Sequence, residues 1–314
     1  MKSINTTFGS LPINQLGAVD VHEHIIIDSS ENSLIPEYFH HTDVEKIADE
    51  LSDWKTAGGG VIIDSSPIGA GRNIQLLEET SQKASLPVIA CSGFHKLSYY
   101  SKEHWLFTES EVQIYKLLID ECQKGVLIDD LHPNTSNRSH IKAGMLKIGV
   151  DLDGISPIYS KILSATAKTM DETGINCMIH TEPGVPFTKV VQAIKRNHIK
   201  PNKVIFCHMG KSLDFELHQR LAREGFYLEF DEMVRSSPPF TQLALAILNL
   251  YKQGYGQSIL FAGDLARRSY WTCYGGKPGL PYLLTRMHDD LKNLGFTQSM
   301  LEEIWVKNPQ RFFS

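Results

Sequence analysis

The chain has 314 residues, of which 42% are hydrophobic and 21% are charged, and its formal net charge is −5. These proportions are typical of a globular protein with a large core. No run of lysines and arginines occurs, so the sequence lacks the basic surface of a nucleic-acid-binding protein. A small anionic ligand stays compatible with the charge, because a single pocket can be basic in an acidic protein.

The five cysteines and the N-terminus indicate the compartment. The cysteines are scattered and never spaced as C-x-x-C, which argues against disulfides or a thiolate zinc site and favours a reducing environment. The first ten residues contain no apolar segment typical of a signal peptide. The longest apolar stretch, residues 243–250, is too short to span a bilayer. We therefore expect a cytoplasmic protein without a membrane partner.

Short apolar runs alternate with amphipathic helical patterns along the chain. The runs predict strands at residues 18–21, 61–64, 88–91, 144–148, 176–179, 204–207, 227–230 and 258–261. Each run is almost continuously apolar, as in parallel strands that are covered on both faces. Helices are predicted after each strand, two of them beginning at capping boxes that start at Thr42 and Thr108.

Eight strands, each followed by a helix, predict an α/β protein built as a single (β/α)8 TIM barrel over residues 1–314. The alternative is an open doubly wound sheet. That fold would more often carry a glycine-rich sequence after its first strand, where this chain has His22-Glu-His24.

The strongest local motif is His22-Glu-His24, at the end of the first predicted strand. Side chains two residues apart in a strand point the same way, so both imidazoles would face the barrel mouth. His180, His208 and Asp264 likewise follow the fifth, sixth and eighth predicted strands. The carboxyl ends of the strands are where TIM barrels carry their active sites. The sequence therefore predicts a metal site, although each residue alone could be a hydrogen-bonded core residue or a helix cap.

Lys147 interrupts the apolar fourth strand. A buried ammonium is costly unless it is paired, and two divalent cations beside it would raise that cost. A neutral amine that reacts with CO2 would instead give an anionic carbamate, which can bridge two metals. The alternative is a lysine that points outward and reaches solvent between helices.

These motifs resemble the phosphotriesterase family of the amidohydrolase superfamily, over nearly the whole chain. The resemblance is carried by VDVHEH at 19–24, GMLKIGV at 144–150, MIHTEPG at 178–184, FCHMG at 206–210, FAGDLARRSYW at 261–271 and NPQRFF at 308–313. The loop at 265–284 is most similar to the phosphotriesterase-homology proteins and the phosphorylated sugar lactonases. Family members are often dimers, so the resemblance allows a homodimer.

The resemblance implies two divalent metal ions and the residues that bind them. His22, His24 and Asp264 would hold the first ion, His180 and His208 the second, and a carboxylated Lys147 would bridge them. Zinc is the usual metal of the family. Manganese, cobalt and iron also suit these ligands.

A bridging hydroxide attacking a small ester is the predicted mechanism, with Asp264 taking the proton and passing it to the leaving oxygen. The predicted substrate is a sugar lactone that carries a phosphate. One alternative is hydrolysis of phosphotriesters or phosphodiesters by the same metals. Another is a catalytically silent barrel that only binds a ligand.

Polar residues near the predicted barrel mouth are candidates for contacts with an anionic small molecule. Arginine suits phosphate or carboxylate because its planar guanidinium donates in pairs. The predicted substrate-binding residues are Arg267, Arg268, Tyr100 and Lys211. Any one of these charges could instead be a solvated surface group.

Overall fold

The computed structural model describes residues 2–29, 34–129, 132–235 and 237–314. The strands are β1 (Ser3–Thr6), β2 (Gly9–Pro12), β3 (Ala18–Glu23), β4 (Gly59–Asp64), β5 (Val88–Phe94), β6 (Met145–Gly149), β7 (Cys177–His180), β8 (Val204–Phe206), β9 (Tyr227–Phe230) and β10 (Ile259–Phe261). The α-helices are α1 (Val44–Thr56), α2 (Ile74–Ala84), α3 (Glu111–Gln123), α4 (Pro157–Thr173), α5 (Phe187–Arg196), α6 (Phe215–Arg223), α7 (Phe240–Leu250), α8 (Arg286–Asn293), α9 (Gln298–Glu302) and α10 (Asn308–Phe313).

Strands β3 to β10 form one parallel sheet in chain order. The predicted TIM barrel is confirmed, and all eight predicted strands are present within a few residues of their expected limits. The antiparallel hairpin of β1 and β2 was not predicted. Its strands are four residues each and largely polar, so they lack the apolar run by which the barrel strands were recognised.

The barrel closes between β3 and β10 partly through side chains. The carboxylate of Asp20 accepts a hydrogen bond from the Gly263 amide at 3.2 Å, and that of Glu23 accepts one from the Leu265 amide at 3.0 Å. A side chain at residue 263 would collide with Glu23, because a Cβ there would lie 2.0 Å from its Oε1. Glycine at this position therefore allows the two strands to meet.

Successive side chains along the strands point alternately toward the helices and into the barrel, which gives two separate apolar layers. Near the ends of the strands, polar side chains take the interior positions. In β6, Leu146 and Ile148 pack toward the helices, whereas Met145 belongs to the cluster inside the barrel. Lys147 follows Met145 by two residues, and His180 follows the interior Met178 in the same way. The period of two therefore turns both polar side chains into the barrel.

The opposite end of the barrel is filled by apolar side chains from both chain ends. Ile4, Leu16, Phe312 and Phe313 belong to the interior cluster, and Asn176, just before β7, donates to the Phe312 carbonyl. These contacts cover the end where the strands begin. A ligand therefore reaches the barrel interior from the end where the strands finish.

The helices begin slightly later than the capping motifs predicted. Asp43 caps α1 by accepting from the Lys46 amide, and Ser110 caps α3 by accepting from the Gln113 amide. The expected caps, Thr42 and Thr108, were therefore wrong by one and two residues. In the parts of the chain that the structure describes, none of the helices combines the length and apolar character needed to cross a membrane.

Candidate metal centre and active-site cavity

The six residues expected to bind metal all lie where the barrel strands end. Lys147 lies within β6 and His180 ends β7, while His208 and Asp264 lie two and three residues beyond β8 and β10. His22 lies in β3, and His24 directly follows that strand. All six side chains are buried or nearly so.

One group of donor atoms consists of His22, His24 and Asp264. The Oδ1 atom of Asp264 lies 3.6 Å from His24 Nε2 and 3.9 Å from His22 Nε2. These three ligand atoms lie close enough together to hold one ion. The pairing register between β3 and β4 shifts between Asp20 and Glu23, next to the two histidines, so this part of β3 does not follow the simple alternation.

A second pair of imidazoles lies beside the first group. His208 Nε2 is 2.7 Å from His180 Nδ1, and the His208 ring centroid lies 5.0 Å from that of His22. Lys147 Nζ lies 3.3 Å from His22 Nε2 and donates to the Ser65 carbonyl at 2.9 Å. Lys147 is fully buried, so the alternative of an outward-pointing lysine is wrong.

Two members of the cluster have left-handed backbone conformations. His208 has φ 63° and Asp264 has φ 42°, in a region that residues other than glycine rarely adopt. Such conformations concentrate at functional sites, where surrounding contacts hold them. The Asp264 amide donates to the His22 carbonyl at 2.8 Å, and the His208 amide donates to Glu229 at 3.2 Å.

Buried carboxylates orient the histidines from behind. His208 Nδ1 lies 2.6 Å from Asp231 Oδ2, and His22 Nδ1 lies 3.2 Å from Glu229 Oε2. A carboxylate on one ring nitrogen fixes the proton there and leaves the other nitrogen free to bind a metal. His180 uses Nε2 toward Glu182 Oε1 at 3.0 Å, which leaves its Nδ1 facing His208.

The electrostatics of the cluster fit bound cations. Burial lowers the pKa of His22, His24 and His180 well below the usual range, so these imidazoles are neutral, as metal ligands must be. Burial and then the neighbouring charge of Asp231 raise the pKa of Glu229. Divalent cations would relieve the repulsion between these acids. The buried His, Glu and Asp side chains therefore fit a binuclear metal site.

Arg235, in the loop after β9, holds Asp264 in place. Its guanidinium donates to Asp264 Oδ2 at 2.5 Å and to the Asp264 carbonyl at 3.0 Å, and it lies 3.3 Å from Asp231. Burial opposes ionisation of Asp264, but the charge of the Arg235 guanidinium lowers its pKa below the usual range. Asp264 is therefore a carboxylate with one oxygen facing the histidines and the other facing Arg235.

A cavity of about 360 Å³ lies above the donor cluster, a volume that suits a small molecule. Its walls come from the loops after several strands. The lining includes His24, His180, His208 and Asp264 at the floor, with Tyr38, Phe39, His95, Lys96, Tyr99, Glu182, Lys211, Arg235, Arg267 and Tyr270 among the wall residues.

Two of the four predicted substrate contacts, Arg267 and Lys211, line this cavity. The Arg267 guanidinium lies over the Tyr38 ring, at 5.2 Å from its centroid. Arg268 lines a separate surface depression with residues 274–277. The Tyr100 hydroxyl accepts from the His95 amide and donates to the Ile68 carbonyl, so it shapes the loop beneath the cavity wall.

The long loop after β10 is fastened from outside the barrel. Trp271 donates its indole N–H to the Leu265 carbonyl. Glu50, a buried residue of α1, accepts hydrogen bonds from the amides of Cys273 and Leu280, each at 2.8 Å. These contacts fix the path of the segment that carries Arg267.

Several residues of the site were not predicted. Asp231 immediately follows β9, so the strand-end position that indicated His180 could also have indicated Asp231. Glu182 follows His180 by two residues, which is a weak signal. Arg235 lies in an irregular loop, and no pattern in the sequence connects it with Asp264.

The variant Asp231→Asn tests whether the contact between Asp231 and His208 supports metal binding by His180 and His208. The change removes the charge that fixes the proton on His208 Nδ1, so we expect zinc affinity, measured by competition with a chromogenic chelator, to fall about 10- to 100-fold. Asp53→Asn, at an exposed position of α1, is the control. Unchanged affinity in Asp231→Asn would show that this contact does not support metal binding.

The comparisons with known proteins agree with this geometry. The sequence model of the phosphotriesterase family matches residues 2–313. A phospho-furanose lactonase of Mycoplasmopsis synoviae is 29% identical over 326 aligned residues, which cover 99% of this chain and 91% of that protein. The crystal structure of a lactonase from Listeria monocytogenes has a TM-score of 0.87 at 25% identity, covering 100% of this chain and 99% of the other.

The structure of an amidohydrolase from Mycoplasma synoviae has a TM-score of 0.93 at 27% identity, and covers 99% of this chain and 92% of the other. The resemblance predicted from the motifs is therefore confirmed. The chain is a hydrolase that acts on ester bonds, and it belongs to the phosphotriesterase family.

Proposed function

We propose that the protein hydrolyses a phosphorylated sugar lactone with the help of two divalent cations. The observation that carries this proposal is a small cavity with the His and Asp donors at its floor and Arg267 on its wall. The names of similar proteins, among them the phospho-furanose lactonase of Mycoplasmopsis synoviae, support the lactone as the substrate class.

The donor atoms divide into two metal positions. His22, His24 and Asp264 would hold one ion, and His180 with His208 would hold the other, with Lys147 between them as a carbamate. Imidazole and carboxylate ligands suit zinc. When bound, the two cations activate water as a nucleophile at neutral pH and polarise the substrate carbonyl.

Lys147 is suited to carbamate formation. Burial lowers the pKa of Lys147, so a larger share of its amine is neutral and nucleophilic than in a solvent-exposed lysine. The amine nitrogen bonds to the carbon of CO2 and releases one proton, which leaves an anionic N-carboxylate. That anion replaces a buried cation among the imidazoles with a metal-binding carboxylate.

Asp264 would move the proton of the reaction. Its Oδ1 faces His22 and His24, while Arg235 holds Oδ2. A carboxylate fixed in this way can accept the proton of the attacking water and pass it to the leaving ring oxygen of the lactone.

Arg267 would bind the phosphate. In the described ranges its guanidinium contacts the rings of Tyr38 and Phe39 and forms no ion pair, so its donors are available to an anion. Lys211 lines the same cavity. Direct contacts from Arg268 and Tyr100 stay predictions.

The carbamate is tested by incubating the protein with zinc and ¹³C-labelled bicarbonate. We expect a protein-bound carbonyl signal in the ¹³C NMR spectrum of the wild type and none in Lys147→Met. Lys161→Met is the matched control, because Lys161 is partly buried and donates to the backbone carbonyls of Leu106 and Glu109. A signal that persists in Lys147→Met would overturn the carbamate.

Asp264→Asn tests the proton transfer. The amide retains an oxygen for metal binding but cannot take up a proton, so kcat for a lactone should fall by about 10²- to 10⁴-fold, with a much smaller loss of bound metal measured by atomic emission. If kcat and bound metal decreased by the same factor, Asp264 would act only as a metal ligand and the proton-transfer role would be wrong.

Arg267→Met tests the substrate class. Wild-type protein should hydrolyse a phosphorylated furanose lactone in a pH-indicator assay, and aryl phosphotriesters much more slowly. The variant should lose about 10- to 100-fold in kcat/KM on the phosphorylated lactone and little on its unphosphorylated form. Arg286→Met, at an exposed position of α8, serves as the control. Turnover of phosphotriesters but not lactones by the wild type would contradict the proposal.

A further inference from the structure

Three charged residues on one wall of the cavity form a connected cluster, here called the lysine–glutamate cluster. Lys96, Glu182 and Lys211 come from the loops after β5, β7 and β8. Lys96 Nζ lies 2.8 Å from Glu182 Oε1, and Lys211 Nζ lies 3.0 Å from Glu182 Oε2. All three residues line the cavity.

We propose that Glu182 is a specificity-determining residue that accepts a hydrogen bond from a ring hydroxyl of the substrate. The inference rests on the proposed lactonase function and adds to it. It assigns the two walls of the cavity to different parts of the substrate, with hydroxyl groups at the lysine–glutamate cluster and the phosphate at Arg267.

The two walls of the cavity differ in how their cationic side chains are paired, as this assignment requires. At the lysine–glutamate cluster, both ammonium groups are paired with the same carboxylate, and a phosphate that approached them would meet the negative charge of Glu182. Arg267 has no carboxylate paired with it in the described ranges. An anion is therefore favoured at Arg267, and a neutral polar group is favoured at Glu182.

The hydrogen-bonding capacity of Glu182 is not used up. An ionised carboxylate offers about four acceptor positions. Oε1 receives His180 Nε2 and Lys96 Nζ, whereas Oε2 receives Lys211 Nζ alone. The side chain is 26% exposed, and each lysine has further N–H donors. The cluster can therefore accept from one hydroxyl and donate to its neighbour, as recognition of adjacent hydroxyls requires.

The position of the cluster suits a ring hydroxyl near the reacting carbonyl. Glu182 contacts Nε2 of His180, whose Nδ1 faces His208 in the donor cluster. One imidazole ring therefore separates Glu182 from the metal-binding atoms. A hydroxyl held there belongs to the lactone ring itself.

The competing interpretation is that Glu182 only orients His180. The two roles are separated by comparing a phosphorylated furanose lactone with its ring-deoxy analogue in wild-type protein and in Glu182→Gln, with metal content measured for each preparation. Glu216→Gln is the matched control, because Glu216 is exposed on α6. Glutamine has nearly the same shape but only one acceptor oxygen, and it cannot pair with both lysines.

We expect the wild type to favour the hydroxylated lactone by about 10- to 100-fold in kcat/KM, and Glu182→Gln to reduce that ratio at least about tenfold while the control keeps it. An unchanged ratio in Glu182→Gln, or a loss explained by lost metal, would overturn the inference. Equal turnover of both lactones by the wild type would also overturn it but leave the lactonase proposal standing. No turnover of either lactone would overturn both.

Discussion

The burial of ionisable groups at one end of an apolar barrel is the constraint on which the site depends. Lys147, four histidines and several carboxylates lie where water cannot solvate them freely. Neutral imidazoles tolerate this position. Mutually repelling carboxylates tolerate it poorly unless cations balance their charge, and a buried amine tolerates it poorly if it is protonated and unpaired. The barrel interior beneath these groups is apolar, and its other end is covered. The unfavourable free energy of burying ionisable groups is therefore concentrated at the candidate active site.

Most of the fold could be predicted because the barrel repeats one simple pattern. Apolar runs marked all eight parallel strands of the barrel. The ends of strands also indicated four histidines and Asp264 as candidate metal ligands, since a polar residue that ends an apolar parallel strand must lie at the same rim as its counterparts. The N-terminal hairpin was not predicted, because its strands are short and polar. The helix starts were predicted less well, because neighbouring Thr, Asp and Ser residues give ambiguous local signals.

Arg235 and Glu182, two of the residues that the sequence did not reveal, lie outside regular secondary structure. Arg235 belongs to an irregular loop, and its contact with Asp264 depends on the left-handed backbone of that aspartate. Glu182 reaches two lysines from other loops. Such contacts are set by three-dimensional proximity, and a single sequence carries little trace of it.

Glu50 connects the outer helical layer to the loop that forms part of the cavity wall. From α1 it holds two amides of the loop that carries Arg267, while Trp271 fastens the same loop just after Asp264. The floor and the wall thus have separate supports. Because of this modularity, substitutions in a peripheral helix can reshape ligand selection while the hydrolytic apparatus keeps its geometry, which offers a physical route by which one scaffold diversifies among esters.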